Sequence, residues 1–452
     1  MRRILWFRRD LRVADNPLLA YEGEVLPIFI FDRDILDALD TKDKRVSFIY
    51  ESVVKLKHEL RKIELDLRVF YGSVDDVFEH LGSYAFDEVV ASGDYDEYAK
   101  ERDLRVSHKL HFRYIQDTYI FRHNEVLKGD GTIYFVFTPF YKKAKLVLES
   151  KNIDVIPRAK QTLFSLDYDG LLKVDADKNI SKVELNIQNI GFKKVELEII
   201  SPYEKLEDLV KKFPRYKEDR DFLSLDASSH LSVDLRFGTI GIREVLRRIM
   251  PLENSEAFVR QLIFRDFYAY LLFHLPYIEH KNYKYSFNGI EDGQKFRIFC
   301  EAKTGVPIVD AGVRELLKSG EMHNRVRMVV ASFFTKDLLL PWQWGESFFA
   351  KHLLDFDKAS NVLSWQWSAG TGVDSQPYFR VFNPYLQSKK FDKDGIYIKK
   401  HIKELKELDL KYLHNEEYLL NNSIKNYPKP MLRHKEAAKK AIEIFRRANR
   451  SI

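Results

Sequence analysis

Over its first 130 residues the chain alternates short apolar runs with helical stretches, and few folds accept that rhythm. The runs are Ile4–Phe7, Val25–Phe31, Leu67–Tyr71 and Glu88–Ala91, with a weaker one at Tyr114–Tyr119. Between the second and third, Arg45–Ile63 repeats apolar residues at Val46, Ile49, Val53, Leu56 and Leu60, the spacing of one helix face. Strand alternating with helix predicts an α/β domain with a Rossmann-like parallel sheet over residues 1–130. No GxGxxG occurs in it, so a dinucleotide-binding loop is not expected.

Residues 131–202 read as an interdomain connector. Lys173–Lys194 is rich in Asp, Lys, Asn and Val without a clear period, and Pro157 and Pro202 punctuate the segment. From 203 to 452 the pattern is helical and rich in Leu, Phe and Arg, which predicts an all-α second domain. The 452 residues suffice for two or three domains.

Composition narrows the chemistry. The 33 Phe and 24 Tyr suit large flat ligands or base stacking, and equally ordinary packing. A net charge of +6, from 74 basic against 68 acidic residues, favours phosphate or nucleic acid only where the excess is local. The single Cys300 excludes an intramolecular disulfide framework and a cysteine-rich metal site. The apolar run at the start is too short for a signal peptide, and no segment reaches the length of a membrane span. A cytoplasmic monomer is expected. There is no nucleophile elbow, HExxH or P-loop to support hydrolytic or metal chemistry.

Five tryptophans occur, and four of them (Trp342, Trp344, Trp365, Trp367) fall within 26 residues. They lie beside Asp355, Asp357, Asn361 and the small residues Gly370-Thr-Gly372. Clustered indoles next to acids and amides suggest an aromatic redox centre, a base-stacking platform or a packed helical core. In the helix Ser255–Leu275, the residues Phe258, Gln261, Phe264, Arg265 and Tyr268 share a face. That stripe suits a planar ligand with a phosphate, or an interhelical ion pair at Arg265. His323–Met328 puts Asn324, Arg327 and Met328 on one face and Arg325 elsewhere. Asp355 and Asp357 are a helix-cap pair, a metal site or partners of a ribose or base edge. Ser228–Ser232 is a phosphate nest or a plain helix start, with the basic and aromatic Tyr216–Phe222 upstream.

In this order, Trp6–Pro17, Phe137–Phe140, Tyr216–Phe222, Arg265–Tyr268, Lys303–Ala311, Met322–Met328, Trp365–Asp374 and Tyr378–Pro384 resemble the DNA photolyase/cryptochrome family, most closely its bacterial class I cyclobutane-dimer branch. The resemblance spans nearly the whole chain. It implies an antenna domain followed by a helical domain that holds FAD, whose reduced form passes an electron under blue light to a flipped-out pyrimidine dimer in DNA. The implied activity is that of a carbon–carbon lyase.

The resemblance also implies roles for single residues. Tyr216, Ser228 and Ser232 match FAD phosphate and ribityl contacts, Arg265 a diphosphate partner, and Phe258 lines the cofactor helix. Asn324, Arg327, Asp355, Asp357 and Asn361 match positions by the flavin, with Arg327 paired to Asp355 and Asn361 facing N5. Gln261, Phe264, Met328 and Trp367 match lesion contacts, and Arg325 and Arg380 the phosphate-binding rim. Trp365 and Trp342 match the proximal and middle members of an electron-transfer chain.

Three departures stand out. Gln261 and Phe264 replace the Glu and Trp usual in cyclobutane-dimer enzymes. The outer tryptophan is missing from Tyr283–Gly289, leaving Tyr283, Tyr285 or Trp344. Ala99 stands where some members carry a folate-binding Glu, so a second antenna chromophore could be folate, deazaflavin, another flavin or none. A cryptochrome-like photoreceptor and a (6-4) photolyase are the alternatives; Asn324 opposes the second.

Overall fold

The computed structural model describes residues 1–449 apart from Asp167 and Lys178. It divides into two compact units. One comprises Met1–Ile133, Phe140–Lys211 and Ser229–Phe273; the other comprises Tyr134–Pro139, Lys212–Ser228 and the chain from His274 onward.

The first unit is built on an eight-stranded sheet: β1 (Arg2–Phe7), β2 (Gly23–Asp32), β3 (Arg68–Gly72), β4 (Glu88–Ser92), β5 (His111–Ile115), β6 (Gln161–Leu163), β7 (Leu171–Val174) and β8 (Ile180–Val183). The order is β5-β4-β1-β2-β3-β7-β8, and every pairing is parallel except β7 with β8. Strand order reverses at β1, the usual place for a ligand crevice in such sheets. The last four residues of β1 and the last eight of β2 are buried without alternation, because helices cover both faces of a parallel sheet. Trp6 lies in this core, edge-on to Phe78 at 5.0 Å. The flanking helices Lys44–Arg61, Val74–Leu81 and Glu97–Ser107 each start on a side chain that accepts a backbone N–H: Asp43, Ser73 and Asp96.

The connector expected over 131–202 is corrected here. It supplies β6, which pairs with β2 at Gly23–Val25, and β7, which extends the sheet beside β3. These strands are three and four residues long, too short to show a period. The expected start of the helical domain at 203 also moves. The helices Ser232–Phe237, Ile242–Ile249 and Glu256–His274 all but end within the sheet unit, whose last residue is Phe273. Charged groups tie the first two to the loop after β1. Buried Arg12 bonds Asp117 at 2.7 Å and Gly238 O at 3.2 Å, and Asp15 takes Arg243 at 3.2 Å and Arg247 at 2.8 Å. Gly238, at φ +65°, lies so close to Arg9 and Asp10 that a side chain there would overlap their backbone. Apolar periodicity carries no trace of such pairs. The fifth strand lies earlier than its apolar run, because half-exposed β5 is an edge strand with weak apolar content.

Asp266, on the helix Glu256–His274, is fully buried. Its Oδ2 accepts Phe121 N–H at 2.9 Å and its Oδ1 has no partner. Burial pushes its pKa up from 3.8 to about 7. The folded state therefore holds a proton that the unfolded state has lost between about pH 4 and 7. The stability this group contributes is full below pH 4 and lost as pH rises through 7. Asp266→Asn is expected to flatten that slope, gaining on the parent by about 2 kcal/mol between pH 5 and 8 in urea unfolding. Parallel pH profiles would show that Asp266 titrates normally.

The second unit is helical: Pro307–Ser319, Asn324–Ser332, Trp342–His352, Lys358–Ala369 and Pro384–Phe391 are among its elements. Among the described residues no helix is long and apolar enough to cross a membrane.

Candidate functional site

In the helical unit, two short helices begin where acids and cations meet. His323 caps Asn324–Ser332, its Nδ1 accepting Arg325 N–H at 3.1 Å. Asp357 caps Lys358–Ala369, accepting Ser360 N–H at 3.0 Å. Asp355, two residues earlier, has a different partner: Arg327 Nη2 lies 2.9 Å from its Oδ2. Arg327 Nε is held by Met322 O at 2.7 Å, which fixes the guanidinium. Asp355 Oδ1 is buried with no hydrogen-bond partner. One carboxylate oxygen is thus neutralised and the other is an acceptor without a donor, a costly state unless a ligand N–H or O–H completes it.

Asn361 is one turn into the Asp357-capped helix. Its Nδ2 donates to Glu346 O at 3.0 Å and Glu346 Oε1 at 2.9 Å, so the amide orientation is set. Burial raises the Glu346 pKa. Asn324 is exposed, with Nδ2 3.9 Å from Met328 Sδ, and Met328 and Trp367 are half-buried. Tyr216 is buried and stacked on Phe213 at 5.5 Å, its hydroxyl accepting from Arg220 at 3.4 Å. Ser228 is half-buried, and Arg380 is exposed on the loop before Pro384. Arg325 is not an isolated rim cation. It is bound to Asp221 at 2.6 Å and lies over the Phe391 ring at 4.3 Å.

The indoles of this unit are layered. Trp365 is buried, edge-on to Phe334 at 5.3 Å and Phe349 at 4.9 Å. Its six-membered ring lies against Gly345, where any Cβ would overlap it. Trp342 is three residues before that glycine on the same helix face, and is also buried. Its Nε1–H donates to Asn282 Oδ1 at 2.7 Å, and Asn282 in turn bonds Tyr285 O and Phe287 O. Trp344 packs on Phe296 at 5.3 Å.

The remaining expected residues belong to the α/β unit. Ser232 is exposed at the start of its helix, Phe258 is buried, and Gln261 is exposed. Phe264 is half-buried, edge-on to Tyr268 at 4.8 Å. Arg265 donates to Thr118 O at 2.7 Å and Leu235 O at 3.2 Å and lies over Tyr119 at 4.3 Å. Ala99 is buried and offers no polar side chain. A cleft of about 740 Å³ opens in this unit between Tyr119, Arg122, Lys151, Pro157, Ile242 and Leu246, and none of the expected site residues lines it.

Sequence reasoning missed Glu346, Asp221, Arg220, His323 and Asn282, the groups that orient the expected residues. Asp221 and Arg220 stood in the Tyr216–Phe222 segment and His323 at the head of His323–Met328; nothing marked Glu346 or Asn282 as partners.

Comparison with known proteins identifies the family. Residues 3–159 match the family described as DNA photolyase, and residues 258–447 the FAD binding domain of DNA photolyase. A deoxyribodipyrimidine photo-lyase of Alkalihalophilus pseudofirmus is 32% identical over 98% of each chain. The structure of a class III photolyase from Agrobacterium tumefaciens superposes with a TM-score of 0.84 at 29% identity, over 99% of this chain and 98% of that one. An archaeal photolyase from Sulfolobus tokodaii, solved with two FAD molecules, gives 0.80 at 30% over 99% and 100%. The chain, a parallel α/β domain followed by a helical FAD-binding domain, belongs to the DNA photolyase family.

Proposed function

We propose that this chain is a light-driven lyase that splits cyclobutane pyrimidine dimers in DNA. The observation that carries this reading is the buried Asp355 carboxylate, with one oxygen on Arg327 and the other without a donor. FAD fits that set, since a flavin ring offers an N–H to the free oxygen. When bound and reduced, FAD supplies the photoexcited electron that opens the dimer.

The chain's own residues do the rest. Arg327 supplies positive charge beside the cofactor, and Asp355 keeps that charge in place. Asn361, locked by Glu346, presents a neutral amide that releases no proton, which suits a cofactor that must stay reduced and anionic. Within the helical unit, Tyr216, Ser228, Asn324 and Asp357 would hold more of FAD. Met328 and Trp367 would receive the flipped dimer, and Arg325 and Arg380 its flanking phosphates. Trp365 and Trp342 would serve as electron donors to FAD bound in its oxidised form. The partner is damaged DNA, and a second chromophore in this chain would have to bind without a folate-type Glu at Ala99.

A photoreceptor without repair activity is the second reading. Tyr283–Gly289 holds no tryptophan, and Gln261 and Phe264 depart from the usual lesion contacts. The deciding test is lesion splitting by the chemically reduced holoenzyme under blue light, on DNA carrying either a cyclobutane dimer or a (6-4) product. Loss of the cyclobutane dimer is expected. Repair of neither lesion by FAD-loaded protein would make the chain a photoreceptor, and repair of only the (6-4) product would reassign its substrate.

A further inference from the structure

The expected rim cation Arg325 has an acid for a neighbour, and the geometry of that contact is incomplete. Asp221 Oδ2 accepts a single bond from Arg325 Nη2 at 2.6 Å. Arg325 Nε is buried and has no acceptor. A guanidinium is a fork that pairs best with two oxygens at once, so Asp221 satisfies only part of it. The other Asp221 oxygen is 3.9 Å from Arg220 Nε. Asp221 therefore stands between two arginines.

The ring of His323 holds this trio in place. His323 Nδ1 accepts Arg325 N–H at 3.1 Å, so its proton is on Nε2, which donates to Arg220 O at 3.1 Å. Burial pushes the His323 pKa down to about 4, so it bridges the two arginine backbones as a neutral ring. Phe391 lies under Arg325 at 4.3 Å and carries Lys390 at 5.1 Å. Its carbonyl accepts Leu223 N–H at 2.8 Å, two residues past Asp221. Two arginines thus flank one carboxylate, whose side chain is 31% exposed and open to exchange.

We infer that Asp221 is an internal competitor for a DNA phosphate: it occupies Arg325 in the free protein and gives it up when the backbone of a damaged strand arrives. This rests on the repair reading, since it needs DNA to be the ligand. A phosphate offers the second oxygen that Arg325 lacks, and both ions seek the same fork. Asp221 would then weaken DNA binding through the exchange and through repulsion of the incoming charge.

The test is equilibrium binding in the dark, by holoenzyme, to an oligonucleotide carrying one cyclobutane dimer, across a salt series. Asp221→Asn is expected to bind about fivefold tighter, the effect of roughly one unit charge near a phosphate in water. The slope of log K against log salt should steepen by about 0.9, because no carboxylate is set free to offset one of the counterions released. Asp221→Glu, which keeps the charge, should bind like the parent. Arg325→Met in the Asp221→Asn background should erase the gain. Unchanged affinity and slope in Asp221→Asn would overturn the inference, as would weaker binding, which would make Asp221 a support for Arg325. Failure of the repair reading is separable: the parent protein itself would then show no preference for dimer-containing over undamaged DNA.

Discussion

Arg327→Met is expected to yield a folded protein that purifies with about a tenth of the parent's FAD or less, a loss of roughly 1.4 kcal/mol of binding or more. The reason is the state of Asp355. Its side chain is 8% exposed, and its carboxylate pairs with Arg327 Nη2 at 2.9 Å. Removing the cation leaves a buried charge uncompensated, which costs about 3–5 kcal/mol for a fully buried pair and less here, because Arg327 is 28% exposed. Stability and cofactor binding would fall together in the single variant, so a second variant separates them. In Arg327→Met/Asp355→Asn the buried charge is gone, and the denaturation midpoint should recover. FAD content should not recover, because the cation beside the cofactor is still missing. Recovery of both would mean that the pair only supports the fold. The absorbance ratio of flavin to protein and a urea titration read the two quantities.

Trp365→Phe is expected to abolish light-driven reduction of bound FAD and to leave dimer splitting by chemically reduced enzyme intact. Phe retains edge-on packing against Phe334 and Phe349, and the lost ring volume should cost about 1–2 kcal/mol of stability. The variant should therefore fold and bind FAD. What it loses is an easily oxidised ring in contact with the helix that carries Trp342. Trp342 cannot readily shed its ring proton, because its N–H faces the Asn282 amide oxygen rather than a base. The oxidised ring would keep its positive charge and draw an electron from further out. Steady illumination with a thiol reductant, followed by flavin absorbance, checks the first statement, and the lesion assay after dithionite checks the second. Photoreduction at the parental rate would remove Trp365 from the path.

Much of this molecule was legible in its residues. Apolar runs broken by an amphipathic helix predicted the parallel sheet, because a strand covered on both faces needs no polar positions and a helix covered on one face needs a period. Motif order predicted the family, and the residues that meet at Asp355 were named in advance. The spacing of Asp355 and Asp357 left a cap, a metal site and a ligand partner open. The structure gave them separate tasks: Asp357 caps a helix and Asp355 pairs with Arg327. Short strands escaped notice, since β6 and β7 owe their conformation to the edges of β2 and β3 rather than to any period of their own.

By itself, then, the sequence determined which chemistry is present: the indoles, the neutral Asn361, the acids and the arginines, along with the helical and strand periods that carry them. Only the tertiary structure decided which acid each arginine meets, which way Asn361 turns, and that helices beyond residue 228 join the sheet unit. The physical reason is range. Periodicity and capping act over a few neighbouring residues, whereas Arg325 and Asp221 are 104 positions apart, and their contact exists only once the backbone has brought them together.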